Sequence, residues 1–291
     1  RLREDLGAHL GQPAERVFAA NGSNEVLQTL LLTYGGPGRR VLLFEPSYLL
    51  HAHIARICGT EVVTCSRSAD FTLDADAAAQ AVAAHDPDVV IVCSPNNPTG
   101  LVEPRATVEA ILDAAPRALG IVDEAYAEFS DWSALELVRD DRPLVVTRTY
   151  SKVFSLAAIR LGFCVAPPSI IVDLEKVALP YRLSVPTQVA GTLALRRQTD
   201  VRSRLDLLVR ERDRVAGAMR AMGGIEVFPS GANFILFRPA RGGRPVWDAL
   251  LEQGVLVRDF SSMPLLAECL RVTIGTEDEN GAFLAALEEA R

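Results

Sequence analysis

Four short runs between residues 41 and 147 are apolar almost without interruption: Val41-Leu42-Leu43-Phe44, Val89-Val90-Ile91-Val92-Cys93, Gly120-Ile121-Val122 and Leu144-Val145-Val146-Thr147. A strand with one wet face alternates apolar and polar residues, whereas a run with no polar alternation belongs to a strand covered on both sides. Between these runs lie alanine-rich amphipathic stretches, Asp74 to His85 and Pro104 to Ala115. Strand and helix in alternation from Val17 to about Ala166 predict an α/β fold, a mostly parallel sheet covered by helices on both faces. In such sheets ligands bind at the carboxyl ends of the strands, so residues that follow the apolar runs are the first candidates for chemistry.

After Pro186 the pattern changes. A long helical region is expected from about Thr187 to Met222, broken near Thr199-Asp200 and ended by Gly223-Gly224. Strands at Glu226-Val227-Phe228, Phe234 to Phe237, Val255-Leu256-Val257 and Leu270 to Ile274, with a helix from Pro245 to Gln253 and a closing helix, predict a small α/β domain. The expected division is a large domain over 1–186, with the interdomain helix and small C-terminal domain over 187–291. At the other end Leu2, Leu6 and Leu10 share a helix face that stops at Gly11, so residue 1 already lies inside a helix and an upstream segment is expected.

Charge and cysteine usage narrow the function. A net charge of −7 argues against nucleic acid as the main partner. The arginines between 196 and 220 alternate with Asp206, Glu211 and Asp213, as on a solvated, ion-paired helix face. No apolar run approaches the roughly 20 residues of a membrane span, so no membrane partner is expected and the cytoplasm is the default location. Five scattered cysteines read as reduced core residues. His51 and His53, two apart, cannot share a helix face, and no metal-ligand spacing appears.

The strongest chemical signal is Lys152, in Thr149-Tyr150-Ser151-Lys152-Val153-Phe154-Ser155 with Arg160-Leu161-Gly162 close behind. Its amine can form a Schiff base with a phosphorylated aldehyde whose phosphate the hydroxyls and guanidinium hold, which points to pyridoxal 5'-phosphate; alone, a Ser-Lys pair at a strand end is more often a solvated loop. Asn21-Gly22-Ser23-Asn24-Glu25 follows a strand-like run and opens a helix, as a phosphate seat or a plain Ser N-cap. Tyr48, after the strand ending at Phe44, can stack on a flat heterocycle or simply pack. In Ser94-Pro95-Asn96-Asn97-Pro98-Thr99-Gly100 the turn explains proline and glycine, but it does not require two asparagines at a sheet edge; one amide could donate to a phenolate-like oxygen. Asp123, in Val122-Asp123-Glu124-Ala125-Tyr126, ends a buried strand and either caps a helix or meets a cation such as a protonated pyridine nitrogen. Arg271, flanked by core residues, needs an anion, either a substrate carboxylate or phosphate or a structural ion-pair partner; Arg258 lies beside another apolar strand.

In this order the motifs resemble, across essentially the whole chain, the fold-type-I pyridoxal-phosphate aminotransferases, and more narrowly the histidinol-phosphate aminotransferases. The diagnostic stretches are Cys93 to Gly100, Val122 to Tyr126, Thr149 to Gly162, Leu179 to Ser184, Gly254 to Asp259 and Leu270 to Thr276. The resemblance implies that Lys152 is the Schiff-base lysine and proton shuttle, Asp123 keeps the pyridine nitrogen protonated, and Asn97 and Tyr126 bond the ring oxygen. It implies that Tyr48 stacks on the ring, and that Gly22, Ser23, Asn24, Thr149, Ser151 and Arg160 form the phosphate cup. Arg271 would clamp the substrate carboxylate and Arg258 the anionic end of the amine donor. The implied reaction is ping-pong transfer of an amino group from L-histidinol phosphate to 2-oxoglutarate, in histidine biosynthesis, by a homodimer. Members carry an upstream tyrosine that reaches the neighbouring subunit's site, and often another polar residue where this chain has Arg182. The same motifs serve an aromatic aminotransferase or a phosphothreonine decarboxylase, and more remotely a non-catalytic sensor module.

Overall fold

The computed structural model describes residues 1–291. Helix α1 (Leu2–Leu10) ends at Gly11 in the left-handed conformation, as its sequence predicts. The chain then alternates β1 (Val17–Asn21), α2 (Ser23–Tyr34), β2 (Arg40–Glu45), α3 (Leu49–Ile57), β3 (Glu61–Ser66), α4 (Ala75–His85), β4 (Val89–Cys93), α5 (Arg105–Ala114) and β5 (Leu119–Asp123). β6 (Leu144–Thr149), β7 (Leu161–Val165) and α6 (Pro168–Val177) complete this part.

The seven strands form one sheet in the order β1-β7-β6-β5-β4-β2-β3. The pairs from β3 across to β6 are parallel, and β7 runs antiparallel to both neighbours. Successive strand residues divide between two cores, as a pleat with both faces covered requires. Val41, Leu43, Val89, Ile91, Ile121 and Val145 join Val26, Leu27 and Leu30 of α2 on one face. Leu42, Phe44, Val90, Val92, Val122 and Val146 join Val108, Ile111 and Leu112 of α5 on the other. At about 1.5–3 kcal/mol per fully buried aliphatic side chain, these two layers dominate the stability that fixes the strand ends.

Helices α7 (Val185–Leu195) and α8 (Gln198–Met222) lead to a four-stranded antiparallel sheet, ordered β10-β11-β9-β8, built from β8 (Ile225–Val227), β9 (Phe234–Pro239), β10 (Arg258–Asp259) and β11 (Leu270–Thr273). α9 (Gly243–Glu252) and α10 (Glu277–Ala290) cover it, and α8 supplies Val215 and Met219 to its core.

Two local expectations change. The helix break falls at Arg196-Arg197, before Thr199-Asp200, because Thr and Asp here begin the second helix; Asp200 lies in its first turn, where the dipole favours an acid. Val255 to Val257 is not a strand. Trp247 Nε1 takes the Val257 carbonyl at 2.9 Å, and ladder pairing begins only at Arg258.

Candidate active site

The carboxyl ends of β2, β4, β5 and β6, with the start of α2, surround a cavity of about 260 Å³. Ser23, Asn24, Tyr48, Asn97, Asp123, Tyr126, Thr149, Ser151, Lys152 and Arg160 all line it, with Cys93, Ala125 and Ala157. Residues spread over 138 positions of sequence thus meet because the parallel strands present their carboxyl ends, and antiparallel β7 its amino end, on one edge.

Asp123 is the last residue of β5 and is almost fully buried. No helix starts there, so the capping alternative is excluded. Its two oxygens are held separately: Thr147 Oγ1 donates to Oδ1 at 3.1 Å, and His51 Nε2 lies 2.8 Å from Oδ2. The spacing of His51 and His53 excludes a shared metal role but does not mark His51 as a carboxylate partner. A polar side chain on the core-facing side of α3, one turn after Tyr48, was the available signal; His51 is buried while its neighbour His53 is exposed. Thr147, inside an apolar strand, was the second missed partner.

Lys152 follows β6, and its amine has no hydrogen-bond partner. Burial, then the positive charge of Arg271, holds its pKa below the usual lysine value, while Asp123 pulls the other way. A buried amine of lowered pKa exposes its lone pair at neutral pH more often than a surface lysine does. Its Nζ sits 4.9 Å from the centre of the Tyr126 ring. Desolvation pushes the Tyr126 hydroxyl up to about 12, so that group is a proton donor at neutral pH.

The two asparagines of the β4 loop divide their tasks. Asn96 is buried and pins the loop, its Nδ2 donating to the Pro46 carbonyl at 3.0 Å and to Thr99 Oγ1 at 2.8 Å. Asn97 lines the cavity and accepts from Arg271 Nη1 through Oδ1 at 2.5 Å, leaving its Nδ2 free to donate.

At the phosphate-seat end, Gly22 is the N-cap of α2 and Ser23 its first residue; the cap makes no side-chain bond, against the plain Ser N-cap alternative. The first amides of the helix have no intrahelical partner and point outward with the positive end of its dipole. Gly22 has φ 86°, and a Cβ there would lie 2.3 Å from Arg160 Nη2. A Cβ on Gly162 would lie 2.1 Å from the Ser23 nitrogen. Both glycines therefore let the guanidinium and β7 press against the helix start. Thr149 Oγ1 and Ser151 Oγ, 3.0 Å apart, complete this side. Free amides, two hydroxyls and a guanidinium in one cup fit a phosphate group. An oriented carboxylate, a tyrosine ring and an unpartnered amine on the other side fit a cationic aromatic aldehyde.

Tyr48 borders the cavity half-buried, its hydroxyl 3.4 Å from Asn24 Oδ1 and its ring edge-on to His51. Arg271 reaches the cavity through Asn97, and its guanidinium lies 4.6 Å from the Phe234 ring centre. No carboxylate pairs with it, against the structural ion-pair alternative. Arg258 is exposed and stands opposite Arg271 across β10 and β11. Arg182 does not line the cavity: it donates to the Ala19 carbonyl and to Glu175, each at 2.8 Å, and lies over the Phe18 ring.

Known proteins resemble this chain in sequence and in fold. A histidinol-phosphate aminotransferase of Thermobifida fusca is 47% identical over 291 residues, covering 98% of this chain and 78% of its own length. One of Rhodococcus opacus is 48% identical, covering 99% and 76%. The structure of a histidinol-phosphate aminotransferase from Sinorhizobium meliloti, in complex with pyridoxal 5'-phosphate, superposes with a TM-score of 0.92 at 24% identity, over 99% of this chain and 80% of that one. The family model for aminotransferase class I and II matches residues 1–287, and the chain belongs to that family.

Proposed function

We propose that this chain is a pyridoxal-phosphate-dependent aminotransferase that moves the amino group of L-histidinol phosphate to 2-oxoglutarate, giving imidazole-acetol phosphate and glutamate in two half-reactions. The observation that carries the reading is the opening of the Lys152 amine and the Asp123 carboxylate into one cavity whose other end is an anion cup. The identity of 47–48% to enzymes named for this reaction supports the donor.

In this reading the cup of Gly22, Ser23, Asn24, Thr149, Ser151 and Arg160 would hold the cofactor phosphate, Lys152 would be its covalent anchor, and Tyr48 would pack on the ring. When bound, pyridoxal phosphate supplies an electron sink for the pair left when the substrate α-carbon loses its proton. Asp123, oriented by His51 and Thr147, would accept a hydrogen bond from the pyridine N–H and so favour its cationic form. Asn97 Nδ2 and the Tyr126 hydroxyl donate to the ring oxygen. Lys152 Nζ takes the α-proton and returns it; burial, which lowers its pKa, makes the neutral amine available for this. Arg271 and Arg258 take the anionic ends of both substrates, a phosphate in one half-reaction and a dicarboxylate in the other.

The reading divides the chain at residue 186, the first part holding the cofactor and 187–291 bringing the two arginines to it. We take the assembly to be a homodimer. Leu179, Tyr181, Val185, Val189 and Leu193, exposed on and before α7, support an apolar contact there. We place the enzyme in the cytoplasm, which agrees with five unpaired cysteines and with the absence of any helix long and apolar enough to cross a membrane.

The test is turnover by the pyridoxal-phosphate-loaded protein with 2-oxoglutarate and each of histidinol phosphate, phenylalanine and phosphothreonine. Glutamate formation fastest with histidinol phosphate is the expected result. A preference for phenylalanine, or release of carbon dioxide from phosphothreonine, would replace the donor assignment.

A further inference from the structure

Arg258 and Arg271 are direct cross-strand partners on β10 and β11, a position where like charges repel. No acid separates them: neither forms an ion pair with a carboxylate, the groups acting on Arg271 are Tyr126, Arg258 and Lys152, and its buried Nε has no partner. One ring faces both instead. The centre of Phe260 lies 5.6 Å from the Arg258 guanidinium carbon and 5.7 Å from that of Arg271, each within cation–π reach. The ring is itself fixed, buried in a small cluster with Phe71, Phe228, Leu236 and Leu266.

We infer that Phe260 is a positioning residue that holds the two guanidinium groups as two separate anion subsites, so that the site favours substrates anionic at both ends. The inference rests on the reading that these arginines bind substrate anions. Arg271 is already held by Asn97 and by the Phe234 ring, whereas the exposed Arg258 could otherwise close on the same anion or swing away into solvent. A rigid π-face attracting both fixes their separation without neutralising either, as a carboxylate between them would.

The experiment uses the cofactor-loaded enzyme, its Phe260→Leu and Phe260→Tyr variants, and spectral titration with glutarate and with butyrate, a dianion and a monoanion. Leucine keeps the apolar burial and removes the π-face; tyrosine keeps both. The ratio of butyrate to glutarate dissociation constants should fall about tenfold in Phe260→Leu and return in Phe260→Tyr. A purely structural role would lower the melting temperature and weaken both ligands alike, leaving the ratio unchanged, and that result overturns the inference. So does a Phe260→Tyr variant that behaves as Phe260→Leu does. A wild-type enzyme that binds glutarate no better than butyrate would instead sink the assignment of the arginines. A response of the ratio in an enzyme that ignores histidinol phosphate would leave Phe260 in its role and remove only the donor.

Discussion

His51→Leu isolates the support behind the carboxylate at the centre of the site. Asp123 is almost wholly buried, and only two side chains bond its oxygens: Thr147 on Oδ1 and His51 on Oδ2. Leucine fills similar space on the core side of α3, so the main loss is one hydrogen bond to a buried charged group, about 1.5–3 kcal/mol. Part of that loss falls on the fold, because the cofactor-free protein also keeps the carboxylate in place. The rest falls on the cofactor, whose ring N–H needs an acceptor that is both charged and aimed. If the whole loss reached binding, retention would weaken by roughly 10- to 150-fold at about 1.4 kcal/mol per tenfold. Urea denaturation of the cofactor-free protein measures the first share and absorbance titration with pyridoxal phosphate the second. Their sum should equal about 1.5–3 kcal/mol. A variant within about 0.5 kcal/mol of wild type by urea, the scatter of neutral surface changes, and with unchanged cofactor affinity would refute the positioning role.

Three further outcomes follow from the same geometry. Gly162→Ala places a methyl group 2.1 Å from the Ser23 nitrogen and 2.3 Å from the Gly22 carbonyl carbon, both backbone atoms; we expect a loss of about 1–3 kcal/mol in stability and weaker cofactor binding, read by thermal melting and absorbance titration. Lys152→Met should change the pH dependence of the cofactor-free protein. Burial lowers the folded-state pKa of Lys152 below 10.5, so between the two values the unfolded chain binds more protons and wild-type stability rises with pH relative to the variant; urea midpoints at pH 7 and 9.5 that moved apart in the other direction would contradict this. Arg271→Lys removes a planar donor that reaches Asn97 Oδ1 and replaces it with a point charge. We expect KM for 2-oxoglutarate to rise by about tenfold or more while thermal stability stays near wild type, read from initial rates over a range of 2-oxoglutarate concentrations.

The parallel sheet, its covered faces and nearly every cavity-lining residue could be read from local sequence, since a run such as Val89 to Cys93 and the loop after it carry their meaning within a dozen positions. β7 was harder to see, because Leu161-Gly162-Phe163-Cys164-Val165 follows the Lys152 loop directly and its glycine reads first as part of a phosphate motif. β3 carries no such signal, because its residues are half-exposed and mixed. The extent of β10 depended on a partner too, with Trp247 taking the Val257 carbonyl from the ladder.

Residue identity and the position of each motif just after an apolar run therefore specified which chemical groups gather at the sheet edge. Which groups touch was left to the packing. His51 meets Asp123 across 72 positions, Arg271 meets Asn97 across 174, and Phe260 faces two arginines only because β10 and β11 pair in that register. Periodicity reports the face on which a side chain lies, whereas a hydrogen bond or a cation over a ring depends on how two separately specified faces are docked, to within a fraction of an ångström.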